Sequence, residues 1–140
     1  MRTSLGEISG LLDHIGFRKE PDFEGSLVWE LPVASHVVNT SGGLQGGLIA
    51  TLADIAAGTL ALETRPPNAG VVTSDLSVRY FRPITSGVAR AVSRIVHAGK
   101  RSIVVQVEVL GGPDDALAAL ATVNFATVDF ATDGSGSANS

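Results

Sequence analysis

One carboxylate, Asp54, stands alone in a long uncharged stretch of the sequence. It is the only charged residue between Val37 and Leu62. Residues 48–62 are rich in Leu and Ala and apolar almost all round, which predicts a helix that is buried on most sides. Because an unpaired buried carboxylate is costly, Asp54 must be either a paired core residue or a catalytic group at a cleft. Its position alone gives these two interpretations about equal weight.

A glycine-rich loop, residues 39–47, leads into this helix. Gly46 and Gly47 fall near the helix N-terminus, where free backbone N–H groups and the helix dipole favour negative charge. Glycine also lets a ligand approach the backbone closely. An oxyanion formed in acyl transfer needs such donors. The loop alone could be a plain flexible turn, but together with Asp54 it favours acyl-transfer chemistry.

The spacing of these two features has a geometric consequence. Gly46 and Asp54 are eight residues apart, which is about 12 Å along a helix. One reacting carbonyl cannot touch both. If both act on one substrate, Asp54 must come from a second chain that runs antiparallel to the first. A catalytic role therefore predicts a two-fold homodimer with two shared sites.

The remaining sequence predicts the elements that must position these residues. Residues 4–15 have helical apolar spacing, with a capping box at Ser4 and Glu7. Strands are predicted at residues 25–33, 71–81, 88–97, 102–110 and 116–130. Short turns between successive strands predict antiparallel pairing. We expect an α+β protein, with an antiparallel sheet of about five strands curved around one long helix. Residues 1–130 would form a single domain, with its N-terminal helix within 1–17, and the polar tail 131–140 would be disordered.

Composition narrows the function classes. The chain of 140 residues has no cysteine and a net charge of −4. This excludes disulfides and a cysteine nucleophile, and the scattered basic residues disfavour nucleic-acid binding. The three histidines lack metal-ligand spacing, so we expect no metal site. No apolar run is long enough for a bilayer and the first residues do not resemble a signal peptide. We expect a cytoplasmic protein without a membrane partner.

The segment from Asn39 to Asp54 resembles the signature of hotdog-fold acyl-CoA thioesterases, most closely the phenylacetate-pathway (PaaI-type) group. The usual pattern is Asn, a short Gly-containing loop, His-Gly-Gly and then an acidic residue on the central helix. Tyr80-Phe81-Arg82-Pro83 extends the likeness, which covers roughly residues 28–130. The resemblance implies a hotdog fold and hydrolysis of an acyl-CoA to free acid and CoA. It also implies no cofactor, because CoA is part of the substrate, and a homodimer that is often half of a homotetramer.

The resemblance also implies a role for each matching residue. Asp54 would be the nucleophile or the general base that activates water, and the sequence leaves both routes open. Gly46 would polarise the thioester carbonyl through its N–H, and Asn39 would orient the carbonyl or the water. Thr73 would help to hold the attacking water. Gln45 stands where the family usually has His, and it can orient a ligand but cannot carry a proton near neutral pH.

Four further residues are candidates for substrate binding. Gly47 lies beside the expected oxyanion site, and Arg82, Lys100 and Arg101 could hold the phosphates of CoA or be solvated surface charges. Two other functions stay open. A non-catalytic acyl-CoA-binding protein would fit the missing histidine, whereas an enoyl-thioester hydratase or dehydratase ranks low because it would need one. Aryl-acetyl, benzoyl and medium-chain acyl groups all remain candidates.

Overall fold

The computed structural model of the protein describes residues 5–21 and 27–129, in which two helices and six strands follow one another. In chain order the elements are α1 (Leu5–Ile15), β1 (Arg18–Pro21), β2 (Leu27–Pro32), α2 (Gly46–Leu62), β3 (Ala69–Tyr80), β4 (Val88–Ala98), β5 (Ser102–Gly111) and β6 (Ala116–Asp129). All strand pairs are antiparallel, in the order β1-β2-β4-β5-β6-β3. The expected α+β architecture is confirmed.

The core lies between α2 and one face of this sheet. Alternate residues of β5 point toward the helix and are fully buried, and these are Ile103, Val105, Val107 and Val109. This period of two is what a sheet with one covered face requires. On the helix, Leu52 and Ala53 are also fully buried. Because α2 contacts β2 through β6, it is the central helix that the apolar sequence predicted.

The strand order departs from the simplest expectation at one connection. The hairpins β4–β5 and β5–β6 form as predicted, but β3 pairs with β6 rather than with its successor β4. The connection, residues 81–87, buries Ile84, whose carbonyl accepts a hydrogen bond from the Leu44 N–H at 2.9 Å. The expectation that each short turn joins two paired strands was therefore wrong here, because this segment packs into the core instead of closing a hairpin.

One of the six strands, β1, was not predicted. Its sequence, Arg-Lys-Glu-Pro, has no apolar alternation, and β1 is defined by its pairing with β2. The buried carboxylate of Glu30 on β2 helps to hold it, because Glu30 contacts Arg18 and Arg90 at 3.1 Å each. Arg90 also contacts Asp115 at 2.6 Å, and these two carboxylates raise the pKa of Arg90.

Several predicted boundaries shift. Helix α2 begins at Gly46, two residues before the predicted start, so Gly46 and Gly47 belong to the helix rather than to the loop. Strand β3 spans Ala69–Tyr80 instead of residues 71–81. Ser4 of the predicted capping box, the start of the predicted strand 25–33 and the tail 131–140 lie outside the described residues. Within residues 5–21 and 27–129, no helix is both long and apolar enough to cross a membrane.

Candidate active site

Asp54 is half-buried on α2, beside β3. The Thr73 hydroxyl of β3 donates a hydrogen bond of 2.8 Å to Asp54 Oδ1. The small helix residues next to Asp54 let α2 lie close to the sheet, because Ala57 is fully buried and a Cβ on Gly58 would lie 3.7 Å from the Phe125 ring. The carboxylate is therefore paired, as a core residue would be, yet still partly open to solvent.

The N-terminus of α2 presents two free backbone donors. Gln45 precedes the helix with extended backbone angles (φ −63°, ψ 134°), and its exposed side chain does not cap the helix. The Gln45 carbonyl accepts from the N–H groups of Leu48 (3.0 Å) and Ile49 (3.1 Å). The N–H groups of Gly46 and Gly47 have no acceptor among the described residues. The positive end of the helix dipole thus coincides with two unpaired donors.

Asn39 organises the loop that precedes α2. Its Oδ1 accepts hydrogen bonds from the N–H groups of Ser41 (2.9 Å) and Gly43 (3.2 Å). Its own N–H donates to the Gly43 carbonyl at 2.7 Å. The side-chain oxygen is therefore used within the loop, which leaves the Nδ2 group of Asn39 as the donor for a ligand.

Tyr80 belongs to this site and was missed in the sequence. Its hydroxyl donates a 2.6 Å hydrogen bond to the Gly46 carbonyl, and burial raises the pKa of Tyr80. On a regular strand Thr73 and Tyr80, seven residues apart, would point to opposite faces. A β-bulge between Thr73 and Asp75 shifts the register, so both oppose buried residues of β6 and face α2. Strict alternation could not reveal this.

One chain therefore contains two half-sites rather than one complete site. Thr73 accompanies Asp54, and Tyr80 accompanies Gly46. Asp54 and Gly46 lie about 12 Å apart along the same rigid helix. A single carbonyl cannot contact both groups within one chain.

The candidate phosphate-binding cations also lie at the two opposite ends of β3. Arg82 follows Tyr80, near the Gly46 end of β3. Lys100 and Arg101 lie in the β4–β5 turn, where their carbonyls accept from the hydroxyl (2.8 Å) and the N–H (3.0 Å) of Thr127. Because Thr127 pairs with Val71 of β3, this turn lies toward the Asp54 end of the strand. All three cationic side chains are exposed.

A cavity lies on another side of α2. It has a volume of about 230 Å³ and is lined by Trp29, Ala56, Thr59, Leu60, Glu63, Ala91 and Ser93. Its helix residues point away from Asp54, given about 100° of rotation per residue. Asp54 does not line this cavity. Among the described residues, no group of three or more His, Asp or Glu side chains could hold a metal ion.

Comparison with known proteins identifies the class to which this helix and sheet belong. A thioesterase from Haemophilus influenzae superposes with a TM-score of 0.81 over 95% of this chain and 96% of its own, and its 18% identity makes this a likeness of fold alone. A protein of Bacillus halodurans, solved with CoA, has a TM-score of 0.79 and 30% identity over 84% of this chain and 78% of its own. The fold is the hotdog fold.

Sequence comparison then identifies the family. A Thermoplasma volcanium protein described as a candidate esterase is 29% identical over 78% of this chain and 81% of its own. The model of the thioesterase superfamily matches residues 42–118, more than half of the chain, from the glycine-rich loop to the start of β6. The chain belongs to the thioesterase superfamily, which supports thioester hydrolysis in general.

Proposed function

We propose that this protein hydrolyses an acyl-CoA thioester to a free acid and CoA in a site shared by two subunits of a homodimer. The observation that carries the proposal is the division of one helix into two half-sites, with Asp54 and Thr73 at one and the free Gly46 N–H at the other. The Bacillus halodurans relative solved with CoA supports CoA esters as the substrate class. Placement in the PaaI-type group, a cytoplasmic location and a homotetramer stay predictions.

The open edge of β3 supports the dimer. The Phe81 N–H donates to the Ala118 carbonyl at 2.8 Å, which sets the alternation of the β3–β6 ladder. By that alternation, the N–H groups of Leu76 and Val78 point away from β6. A long edge with unpaired donors is a template for another strand. The natural partner is β3 of a second chain, because two-fold antiparallel pairing joins the two sheets into one.

One register of this pairing completes both sites. If Ser77 lies on the two-fold axis, the bulge brings Thr73 opposite the partner's Tyr80, and both face the helices. Asp54 of one subunit then approaches the partner's Gly46. The same register sets Asp75 opposite the partner's Arg79 on the other face of the sheet, where opposite charges favour pairing. Geometry and charge therefore select the same arrangement.

In this arrangement each group has a chemical role. The Gly46 N–H at the helix N-terminus receives the thioester oxygen and stabilises the negative charge that develops there. Asp54 of the other subunit attacks the carbonyl carbon, which expels CoA thiolate and leaves a mixed anhydride for water to cleave. Alternatively, Asp54 takes a proton from water, hydroxide attacks the carbon, and the proton leaves with CoA. Thr73 holds the carboxylate in place for either route.

The remaining candidates would bind and orient the substrate. Arg82 at the Gly46 end and the partner's Lys100 and Arg101 at the Asp54 end would flank one site, as expected for groups that hold CoA phosphates. Asn39 Nδ2 and the Gln45 side chain, which does not cap the helix, remain available to orient the acyl group or water. Gly47 borders the carbonyl. Neither route requires a metal or an organic cofactor.

The first test replaces the carboxylate. Asp54→Asn keeps an oxygen for the Thr73 bond but removes the charge and the base, so kcat should fall by about 10³-fold while the dimer persists. Asp114→Asn, in an exposed turn, is the matched control and should keep wild-type activity. Thiol release would be followed with phenylacetyl-, benzoyl-, hexanoyl- and palmitoyl-CoA. Retained turnover in Asp54→Asn would exclude Asp54 as the catalytic carboxylate.

The second test removes the oxyanion donor. Gly46→Pro deletes the N–H at the first helical position, where proline is favoured, and the extended Gln45 backbone suits a following proline. We expect a loss in kcat of about 10²-fold or more. Gly46→Ala, which keeps the N–H, is the control and should lose far less activity.

The same assays separate the alternative functions. Wild-type protein that binds these esters but releases no thiol would indicate an acyl-CoA-binding protein. Hydration of crotonyl-CoA would indicate a hydratase.

A further inference from the structure

The hydrogen bond from Tyr80 to Gly46 acts on the peptide unit that carries the next donor. The carbonyl of Gly46 and the N–H of Gly47 belong to one planar peptide group. The 2.6 Å bond from the Tyr80 hydroxyl to the Gly46 oxygen therefore adds to helix α2 in holding the direction in which the Gly47 N–H points. A bond accepted at the carbonyl also polarises the amide and strengthens its N–H as a donor.

The two consecutive peptide groups at this helix end share one hydrogen-bonding pattern. The Gln45 carbonyl accepts two hydrogen bonds, and the Gly46 carbonyl accepts one from Tyr80 in addition to its place in the bonding of the helix. The N–H on the far side of each group, Gly46 and Gly47, has no acceptor among the described residues. Gly47 is exposed, and a Cβ there would meet nothing within 4 Å, so the backbone at this position is open to solvent.

We infer that Tyr80 is a positioning residue that makes the Gly47 N–H a second oxyanion donor beside that of Gly46. The inference rests on the proposed thioesterase function. Two donors would share the charge that develops on the thioester oxygen, whereas Tyr80 would act only through the Gly46 carbonyl to which its hydroxyl is bonded. The ring lies against position 46, where an added Cβ would be in ordinary contact with the phenol at 3.4 Å.

A purely structural role for Tyr80 would make a different prediction. If the bond only fastened β3 to α2, Tyr80→Phe would lower stability and leave the chemistry of the folded dimer unchanged. If Tyr80 acts through the peptide group, Tyr80→Phe should reduce kcat about tenfold, the worth of one hydrogen bond, with KM unchanged within about twofold. The split between kcat and KM distinguishes these roles.

A spectroscopic measurement tests the coupling without relying on turnover. In labelled full-length protein, Tyr80→Phe should shift the carbonyl carbon of Gly46 and the amide nitrogen of Gly47. The Gly46 amide, which belongs to the preceding peptide group, should move less. Equal, small shifts throughout residues 45–49 would show that Tyr80 does not act on this peptide and would overturn the inference.

A double-substitution cycle then connects the coupling to catalysis. Glycolic acid in place of Gly47 converts its N–H to an ester oxygen, and kcat should fall by about 10²-fold, as for loss of one oxyanion donor. In that background Tyr80→Phe should have almost no further effect, because its target is gone. An unchanged tenfold effect would overturn the inference, as would an active wild type that Tyr80→Phe does not slow. Absence of thiol release by the wild type itself would overturn the proposed function, which is a separate outcome.

Discussion

The two outer strands of the described sheet, β1 and β3, are opposite in character. Strand β1 has four residues, three of them charged, and it ends at Pro21. Strand β3 has twelve residues without proline, and it exposes Val72 (52%) and Leu76 (37%). Short length, charge and proline are the usual protections of a sheet edge against pairing with another chain. The protein protects the β1 edge and leaves the β3 edge open.

The open edge is also the edge that carries two residues of the candidate site. Thr73 and Tyr80, which contact Asp54 and Gly46, both lie on β3. An exposed strand of this kind would be an aggregation hazard unless a partner covers it. The contrast therefore supports the proposal that β3 pairs with β3 of a second copy of the chain, and that the same pairing completes the active site.

The strongest perturbation would give β3 the protection that β1 already has. Leu76→Pro removes an N–H that points away from β6, so the ladder within the chain is kept while the seam between chains is blocked. We expect a monomer by light scattering and a loss of kcat of about 10³-fold, similar to loss of the carboxylate. Leu76→Thr keeps the N–H and should remain dimeric and active. A fully active Leu76→Pro monomer, with native circular dichroism, would refute the shared site.

A substitution with a smaller expected effect would test the register in which the two β3 strands pair. In the register centred on Ser77, Asp75 faces the partner's Arg79. Either Asp75→Arg or Arg79→Asp alone should weaken dimerisation by roughly tenfold through two like-charge contacts, whereas the exchange of both should restore it. Sedimentation equilibrium at low salt would measure this. If the double variant is as weak as the single ones, the strands pair in another register.

The smallest effect is expected at the protected edge. Arg18→Ala removes one of the two arginines that contact the buried Glu30, and it should lower the free energy of unfolding by about 1 kcal/mol. Dimerisation and kcat should stay at wild-type values, because β1 is remote from the seam. Arg94→Ala, which loses only an exposed bond to Gln106, is the control for chemical denaturation. Loss of the dimer in Arg18→Ala would show that the two edges are not independent.

Local patterns in the sequence were enough to predict most of the elements. The apolar segment that became α2 and the strands β3 to β6 were predicted within two residues at each end described, because their periodicities are long and clear. Through the family resemblance Thr73 was expected to help hold the attacking water, which stays a prediction, whereas its hydrogen bond to Asp54 was not predicted. The Gly46–Asp54 spacing predicted a two-chain site from helix geometry alone.

Local sequence patterns did not predict the long-range strand pairing or the β-bulge. Strand β1 has no apolar pattern and depends on contact with β2. The placement of β3 beside β6 rather than β4 depends on how residues 81–87 pack, which no local signal encodes. The contact between Tyr80 and Gly46 was hidden by the bulge after Thr73, because one extra residue reverses which side chains face α2.

Subunit complementation tests the shared site most directly. Asp54→Asn and Gly46→Pro would each keep about 1% of wild-type activity or less alone, and they would be unfolded and refolded together so that subunits mix. Since half of the dimers would then be mixed and each would hold one intact site, we predict recovery of roughly one quarter of wild-type activity. If Asp54 and Gly46 instead acted within one chain, every site would carry a defect. A mixture that stays inactive, although mixed dimers are shown to form, would contradict the account.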